Sequence, residues 1–328
     1  MGNRPERVWL LGRPYVAFRG SSGPVVLPDR CPHRFAPLSA GSVVDGRLQC
    51  AYHGWCFEGD GRCSLIPSLA STSPIPGRAH LAAPYAVAER YGIVFVALER
   101  PVADLIELDL SEPSPDRRRA HRSFEGRFGA ALLIDNQLDA SHFAFVHRAT
   151  FGASEAAQVP RYDVDRHDDG WGFTSTMTVP ILAGNDPGVA EGIRSLHQVR
   201  TMTYRYRAPY QLSLLLQYPD MGVTHAITFF AQPQQAERAR LYSVSILERP
   251  GGFTDEEYLA RAAFEDLVGA EDRVIQSSFD NLGLPLDPTA ECHVRSDRAS
   301  VELRRILQNL VGPGRSGGVA ETGQARGA

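Results

Sequence analysis

Four residues on two short segments restrict this chain more than anything else in it. Cys31 and His33 stand one residue apart, sixteen residues follow, and Cys50 and His53 stand two apart. Two thiolates and two neutral imidazoles make a soft cage of four donors. Zinc takes such a set as a tetrahedron, but its sites usually leave two to four residues between ligands, and the first pair leaves one. One Cys and one His from each segment suits a [2Fe-2S] cluster better, with the thiolates on one iron and the imidazoles on the other. The remaining cysteines, Cys56, Cys63 and Cys292, are too few and too unevenly placed for a disulfide framework and are expected as buried small residues.

Composition removes several alternatives. The 328 residues are 43% hydrophobic and 22% charged, enough for two domains with separate cores, and the formal charge of −4 supplies no basic field for nucleic acid. All 34 Lys+Arg positions are arginine, so neither a Schiff-base lysine nor a phosphate-loop lysine is available. No run approaches the roughly 18 apolar residues of a membrane span, and the first residues lack the pattern of a secretory signal. No membrane partner and a cytoplasmic location are the expectation.

From about residue 8 to 99, short apolar runs broken by turn residues predict a small all-β domain. Residues 101–122 carry prolines and charge and read as a linker or crossover. Their cluster Arg117, Arg118, Arg119 and Arg122 suits a solvated face or a dock for an acidic electron donor. The segment 130–147 reads as a buried helix or helix start whose polar residues need a reason. Five strand-like runs follow between residues 170 and 247, predicting an antiparallel sheet around an apolar cavity. Two helices are expected after them, over 255–279 and from Asp297 to Val311. Residues 312–328 read as a disordered tail, and the G-x-G-x-x-G spacing of Gly312, Gly314 and Gly317 lacks the βαβ context that would give it meaning.

"CPHR" and "CAYHGW", continued as "GRLQCAYHGWCFEGDGRCSLIP", resemble the Rieske motif in its oxygenase form. By that resemblance Cys31 and Cys50 bind the inner iron, and His33 and His53 bind the outer iron near the surface. Phe35 and Ala36 stand where high-potential Rieske proteins carry an additional disulfide cysteine, which points to the low-potential type.

A Rieske ferredoxin alone would end near residue 105, so the rest of the chain needs a purpose. Within it, Asn136, Asp139, His142 and His147 are spaced N-x-x-D-x-x-H-x-x-x-x-H. Two imidazoles five apart can face one ion if the helix ends or bends between them; otherwise they are core histidines. Downstream of a Rieske motif, the pattern resembles the mononuclear iron site of Rieske non-haem iron oxygenases. The resemblance implies a 2-His-1-carboxylate triad on Fe(II), with open positions for O2 as cosubstrate. His142 and His147 match the histidines, and Asp272 is the expected carboxylate, with Glu271 the near competitor and Asp280 a distant one. Asp139 matches an electron-transfer bridge to the cluster of a neighbouring subunit, and Asn136 a polar position near the iron.

The implied fold is α+β: an N-terminal all-β Rieske [2Fe-2S] domain over 1–112, then a helix-grip catalytic domain of antiparallel sheet plus helices over 113–311. The implied function is an O2-dependent oxygenase acting on a medium-sized aromatic or natural-product substrate by monooxygenation, demethylation, N-oxidation or oxidative cyclisation. A separate reductase, with or without a ferredoxin, would supply electrons from NAD(P)H, and a head-to-tail homotrimer would bring the two metal sites together. "CSLIPSL" resembles the pheophorbide a and aminopyrrolnitrin oxygenase branch, while the chain length also suits vanillate-type demethylases. Only thirty residues precede Cys31, fewer than in relatives, which fits a compact member or a start downstream of the true one. The competing reading is a Rieske electron carrier with a non-catalytic ligand-binding second domain.

Overall fold

The computed structural model describes residues 4–152, 157–184 and 186–312. It divides into two compact units, one running to Val102 together with Pro233–Ala236, the other covering Ala103–Gln232 and the chain from Glu237.

The smaller unit is all β. Strands β1 (Glu6–Leu10), β2 (Arg13–Gly20) and β3 (Gly23–Pro28) form one antiparallel sheet. β4 (Ser42–Val44), β5 (Arg47–Gln49), β6 (Cys56–Phe57) and β7 (Cys63–Leu65) form a second, and β8 (Ala86–Arg90) pairs with β9 (Ile93–Ala97). The twofold alternation along β2 sends Val16 and Phe18 into one core and Tyr15 and Ala17 into another. The first core, with Leu27, Leu38, Leu48 and Phe57, also holds Cys31 and Cys50. Cys56 and Cys63 are buried there as expected, whereas Cys292 is exposed, a correction that follows from its place in a surface turn region between short helical turns.

In the larger unit β10 (Arg117–Gly126) leads into α1 (Ala130–Leu138) and the four-residue α2 (Phe143–Val146). Then come β11 (Asp165–Arg166), β12 (Gly172–Leu182), α3 (Pro187–Ala190), β13 (His197–Arg207), β14 (Gln211–Tyr218), β15 (Val223–Gln235) and β16 (Arg238–Glu248). The strands form one sheet in the order β10-β16-β15-β14-β13-β12-β11. Helices α4 (Asp255–Gln276) and α5 (Arg298–Val311) complete the unit. One face of the sheet packs on α1 and α5 through residues such as Ile134, Leu138, Tyr204, Leu303 and Ile306.

The five expected strands and both C-terminal helices are present, and β10 and β11 join them. β10 corrects the reading of 101–122 as linker: from Arg117 the arginines lie on a strand paired with β16. The cluster is a solvated face in part: Arg118 and Arg119 are exposed, Arg118 beside an exposed Asp255, while Arg117 pairs with Glu248 and Arg122 with Glu265 at half-buried positions. Alternating side chains and available carboxylate partners let a strand carry this much charge. In the segment read as a buried helix or helix start, α1 begins at Ala130 and buries Leu133, Ile134 and Leu138 before it ends, whereas Phe145 beyond it is 58% exposed. The tail beyond Gly312 lies outside the described residues.

Two devices position the helices. Arg304 of α5, its side chain only 2% exposed, binds Asp135 of α1 at 2.9 Å and Glu291 at 2.6 Å. At the start of α4, Thr254 and Glu257 form a reciprocal capping box, and Arg249 grips the Glu257 carboxylate at 2.9 Å.

Removing one member of a buried ion pair strands the other, so Arg304→Ala is expected to cost about 3 kcal/mol. The check is a lower urea midpoint for the larger unit, with part of the loss recovered when Asp135→Ala is added. Arg249 foremost, then the Thr254 N–H, holds the Glu257 carboxyl down at about 2 against an ordinary 4.5. A depressed carboxylate stabilises the fold above its ordinary range and loses that contribution as pH falls through the folded value. Amides in the first turn of α4 should therefore exchange faster as pH drops from about 4.5 toward 2, with the intrinsic rate divided out. Glu257→Gln should abolish that acid dependence.

Candidate metal centres

The two cysteine loops of the smaller unit are built alike. Cys31 N–H donates to the Ala36 carbonyl at 2.9 Å and Phe35 N–H returns to the Cys31 carbonyl at 2.9 Å. In the second loop Cys50 N–H donates to Trp55 at 2.9 Å and Gly54 N–H returns to Cys50 at 3.0 Å. The fifth residue of each loop has positive φ, 61° at Phe35 and 70° at Gly54. Each turn buries its cysteine in the core and carries its histidine outward: the His33 and His53 ring centroids are 4.5 Å apart, and His53 is exposed. Trp55 stacks on His33 at 4.6 Å and 6°.

The donor set fits a cluster. Burial, aided by neighbouring Cys50, pushes the Cys31 thiol up to about 11, with the His33 and Arg34 backbone opposing. Two thiolates in such a place require a cationic metal to stay ionised. His33 Nδ1 is buried without a hydrogen-bond partner, as a nitrogen meant for iron would be.

The second centre is made by a broken helix. Asp139 caps α1 in extended conformation, φ −82° and ψ 130°, and its Oδ1 accepts the Ser141 N–H at 2.7 Å. That turn restarts the chain as α2, with His142 at one end and His147 at the other. Gly152 N–H closes on the His147 carbonyl at 2.8 Å, and a Cβ at Gly152 would lie 2.2 Å from the Phe143 carbonyl oxygen, so this close approach needs glycine. Opposite, Asp272 and Gln276 are the buried residues of α4.

His142 Nε2 and His147 Nε2 are 3.2 Å apart, with Asp272 Oδ1 3.5 and 3.4 Å from them. The three ligand atoms of His142, His147 and Asp272 lie within 4.8 Å of one another. Each imidazole is held from behind, His142 Nδ1 by Asp139 Oδ2 at 3.1 Å and His147 Nδ1 by Glu271 Oε2 at 2.8 Å. Thr150 also donates to Glu271 at 2.8 Å. With both Nδ1–H groups engaged, both Nε2 lone pairs face inward at a carboxylate oxygen that has no donor of its own. Three acceptors converging without a hydrogen fit a cation.

The field at this point favours positive charge: burial works against a charged His147, yet the nearby carboxylates of Asp272 and then Glu271 outweigh that and hold it above its ordinary value, so a proton and a metal ion compete for the same place. For Asp139 burial is likewise overcome, by His142 and Ser141, and the carboxyl sits below the usual range. Asp139 is also the more exposed of these carboxylates, its side chain 32% accessible against 12% for Asp272. Asp280 has no place in the group of three, and Glu271 stands behind His147 rather than in it. The orienting role of Glu271 escaped the sequence reading, although its position beside Asp272 was the available signal.

The centre lines a cavity of about 360 Å³. Leu133, Ile181, Leu214, Leu216, Ile227 and Phe229 make its apolar wall, and Asn136 reaches it with a buried, unpartnered Nδ2. The volume suits a one- or two-ring molecule. Among the described residues no helix is long and apolar enough to cross a membrane.

Residues 2–82 match the family model for the Rieske [2Fe-2S] domain, and residues 129–312 that for the vanillate O-demethylase oxygenase C-terminal domain. The methylxanthine N1-demethylase NdmA of Pseudomonas putida is 28% identical over 93% of this chain and 82% of its own length. The methylxanthine N3-demethylase NdmB of the same organism is 30% identical over 94% and 84%. A solved structure of NdmA with caffeine superposes with a TM-score of 0.79 at 27% identity, covering 92% of this chain and 83% of the other.

Asp272→Ala is expected to remove one of three irons per chain while leaving the visible absorption of the cluster intact, checked by iron analysis of anaerobically prepared protein. Glu271→Gln should keep the ion but weaken its affinity about 10- to 100-fold.

Proposed function

The chain belongs to the Rieske non-haem iron oxygenases, and we propose that His142, His147 and Asp272 hold its mononuclear iron while Cys31, Cys50, His33 and His53 hold its cluster. The observation that carries this reading is the convergence of two Nε2 atoms and one unpartnered carboxylate oxygen at the wall of an apolar cavity. When bound, the ferrous ion supplies O2 activation and the cluster supplies electrons.

The chain's own residues do the rest. Asp139 and Glu271 fix the tautomer of each imidazole, so that Nε2 is the free donor atom in both. The apolar wall excludes water and places the substrate ring, and Asn136 offers the cavity a hydrogen bond. The reaction we infer is insertion of one oxygen atom into a C–H bond of an aromatic substrate. Where the carbon is a methyl on nitrogen or oxygen, as the names of the demethylase relatives suggest, the hydroxymethyl product releases formaldehyde and the methyl group is lost.

Asp139 is the proposed bridge for electrons. It touches a metal-site imidazole on one side and is a third exposed on the other. Exposed apolar residues favour a ring of copies as the setting. Tyr52 beside His53 is 65% exposed and Phe35 62%; on α4, Leu259, Leu267 and Val274 are 65%, 50% and 74% exposed. Such surfaces suit burial against another subunit. A head-to-tail trimer would seat the cluster face of one chain on the iron face of the next, and a separate reductase would feed the cluster.

Asp139→Ala is expected to keep three irons per chain yet lower turnover at least 100-fold. With the cluster pre-reduced and substrate bound, mixing with O2 should leave the cluster reduced for many turnover times of the wild type. Rapid cluster oxidation coupled to product formation in that variant would contradict the bridge.

A further inference from the structure

One end of the cavity carries positive charge that the metal centre does not use. Arg200 of β13 is 5% exposed, and Arg261 of α4 and Arg122 of β10 have side chains 24% exposed. Among the described residues, one largely buried carboxylate answers these three guanidiniums. It is Glu265, already engaged by Arg122 and by His225 Nε2 at 3.2 Å, with Arg261 Nε 3.7 Å away. Asp266 also pairs with Arg122 but is 69% exposed, and Asp186 is taken by Arg194 and Gln198. Arg200 makes no ion pair among the described residues; its guanidinium lies over the rings of Phe151 at 4.6 Å and Phe143 at 5.3 Å.

His225 adds no negative charge. Its Nδ1 accepts from Arg261 at 3.2 Å and its Nε2 donates to Ser245 at 2.8 Å, the pattern of a neutral ring. Burial foremost, then the three arginines, keeps it well below its ordinary value. Arg261 donates to the Tyr218 hydroxyl at 3.3 Å, Arg200 acts electrostatically on the same hydroxyl, and the Nε of each arginine is buried without a hydrogen-bond partner. A buried cation with an unmet N–H costs free energy unless an anion satisfies it. Phe151 stacks on His147 at 4.9 Å, so Arg200 stands one aromatic ring away from the metal-site imidazole.

We propose that the cavity selects an organic anion, a carboxylate on a flat apolar body, and that Arg200 and Arg261 clamp the carboxylate while the apolar wall holds the ring against the metal side. This rests on the oxygenase reading of the same cavity and narrows its substrate class. Guanidinium groups match carboxylate geometry in paired hydrogen bonds, and Arg200 and Arg261 both line the cavity. A neutral substrate would leave Arg200 without a counter-ion and Arg261 with only the Glu265 that it shares with Arg122. The residues are specificity-determining, since they hold a part of the substrate away from the reacting carbon.

The test is calorimetric binding to anaerobic holoenzyme, using mono- and bicyclic aromatic carboxylates, each beside its primary amide and methyl ester. At least one acid is expected to bind ten-fold or more tightly than its amide. Arg200→Gln and Arg261→Gln should each weaken that acid roughly 10- to 100-fold, while any affinity for the amide changes less than three-fold. A merely structural arginine would lower the melting temperature when replaced; Arg200→Gln is expected to raise it in ligand-free protein and to lose the stabilisation that the acid gives the wild type. Equal binding of acid and amide, absence of binding by every acid, or unchanged acid affinity in both variants overturns the proposal. So does a tyrosinate absorption at neutral pH that Tyr218→Phe removes, because Tyr218 would then be the counter-ion itself. Iron content, measured on the same samples, reports separately on the oxygenase reading.

Discussion

The catalytic unit depends on the termination of one helix at one carboxylate. His142 and His147 flank the single short turn α2, and both follow the break at Asp139, so the point where α1 stops decides where that turn begins and which way its two imidazoles face. Asp139 ends α1 by leaving helical conformation and accepting the Ser141 N–H, which starts the new short turn. Its second oxygen then orients His142. One side chain thus sets the backbone path, the ring tautomer and the direction of a metal-facing nitrogen. α5 secures the other end of this arrangement, because Arg304 fastens Asp135, four residues upstream of Asp139.

Much of this was legible in the chain. Ligand chemistry is local, so the spacing of Cys31, His33, Cys50 and His53, and of Asp139, His142 and His147, carries over directly into proximity. Hydrophobic alternation marked β12 to β16 for the same reason. β10 was hidden because its charged residues find carboxylates on β16 and α4, partners that only the folded chain brings near. The choice between Glu271 and Asp272 depends on the rotation of α4 about its axis, which adjacent acidic residues cannot reveal. Cys292 was misplaced because a small apolar residue in a turn region has no packing signal of its own.

The cavity brings two kinds of electrostatics close together. At the metal side, acceptors converge and call for a cation; at the Arg200 side, donors converge and call for an anion. Phe143 and Phe151 stand between, each touching both an imidazole and the Arg200 guanidinium. Aromatic rings suit that position, since their faces favour cations without adding charge that would compete with the ligands.

The paired loops of the smaller unit use one backbone turn in two chemical forms. Gly54 adopts the left-handed conformation at no steric cost, and Pro67 Cγ would lie 3.1 Å from a Cβ there, so the turn is pinned from within. Phe35 adopts it at a cost of about 1 kcal/mol and turns its ring outward, beneath the Arg30 guanidinium at 3.9 Å. The pseudo-symmetry of the cage is therefore broken mechanically as well as chemically: one half is relaxed and braced, the other stands under tension at the surface. A surface that docks over the two loops buries Phe35 and Tyr52 alike, and the apolar burial of the Phe35 ring offsets part of what its turn costs.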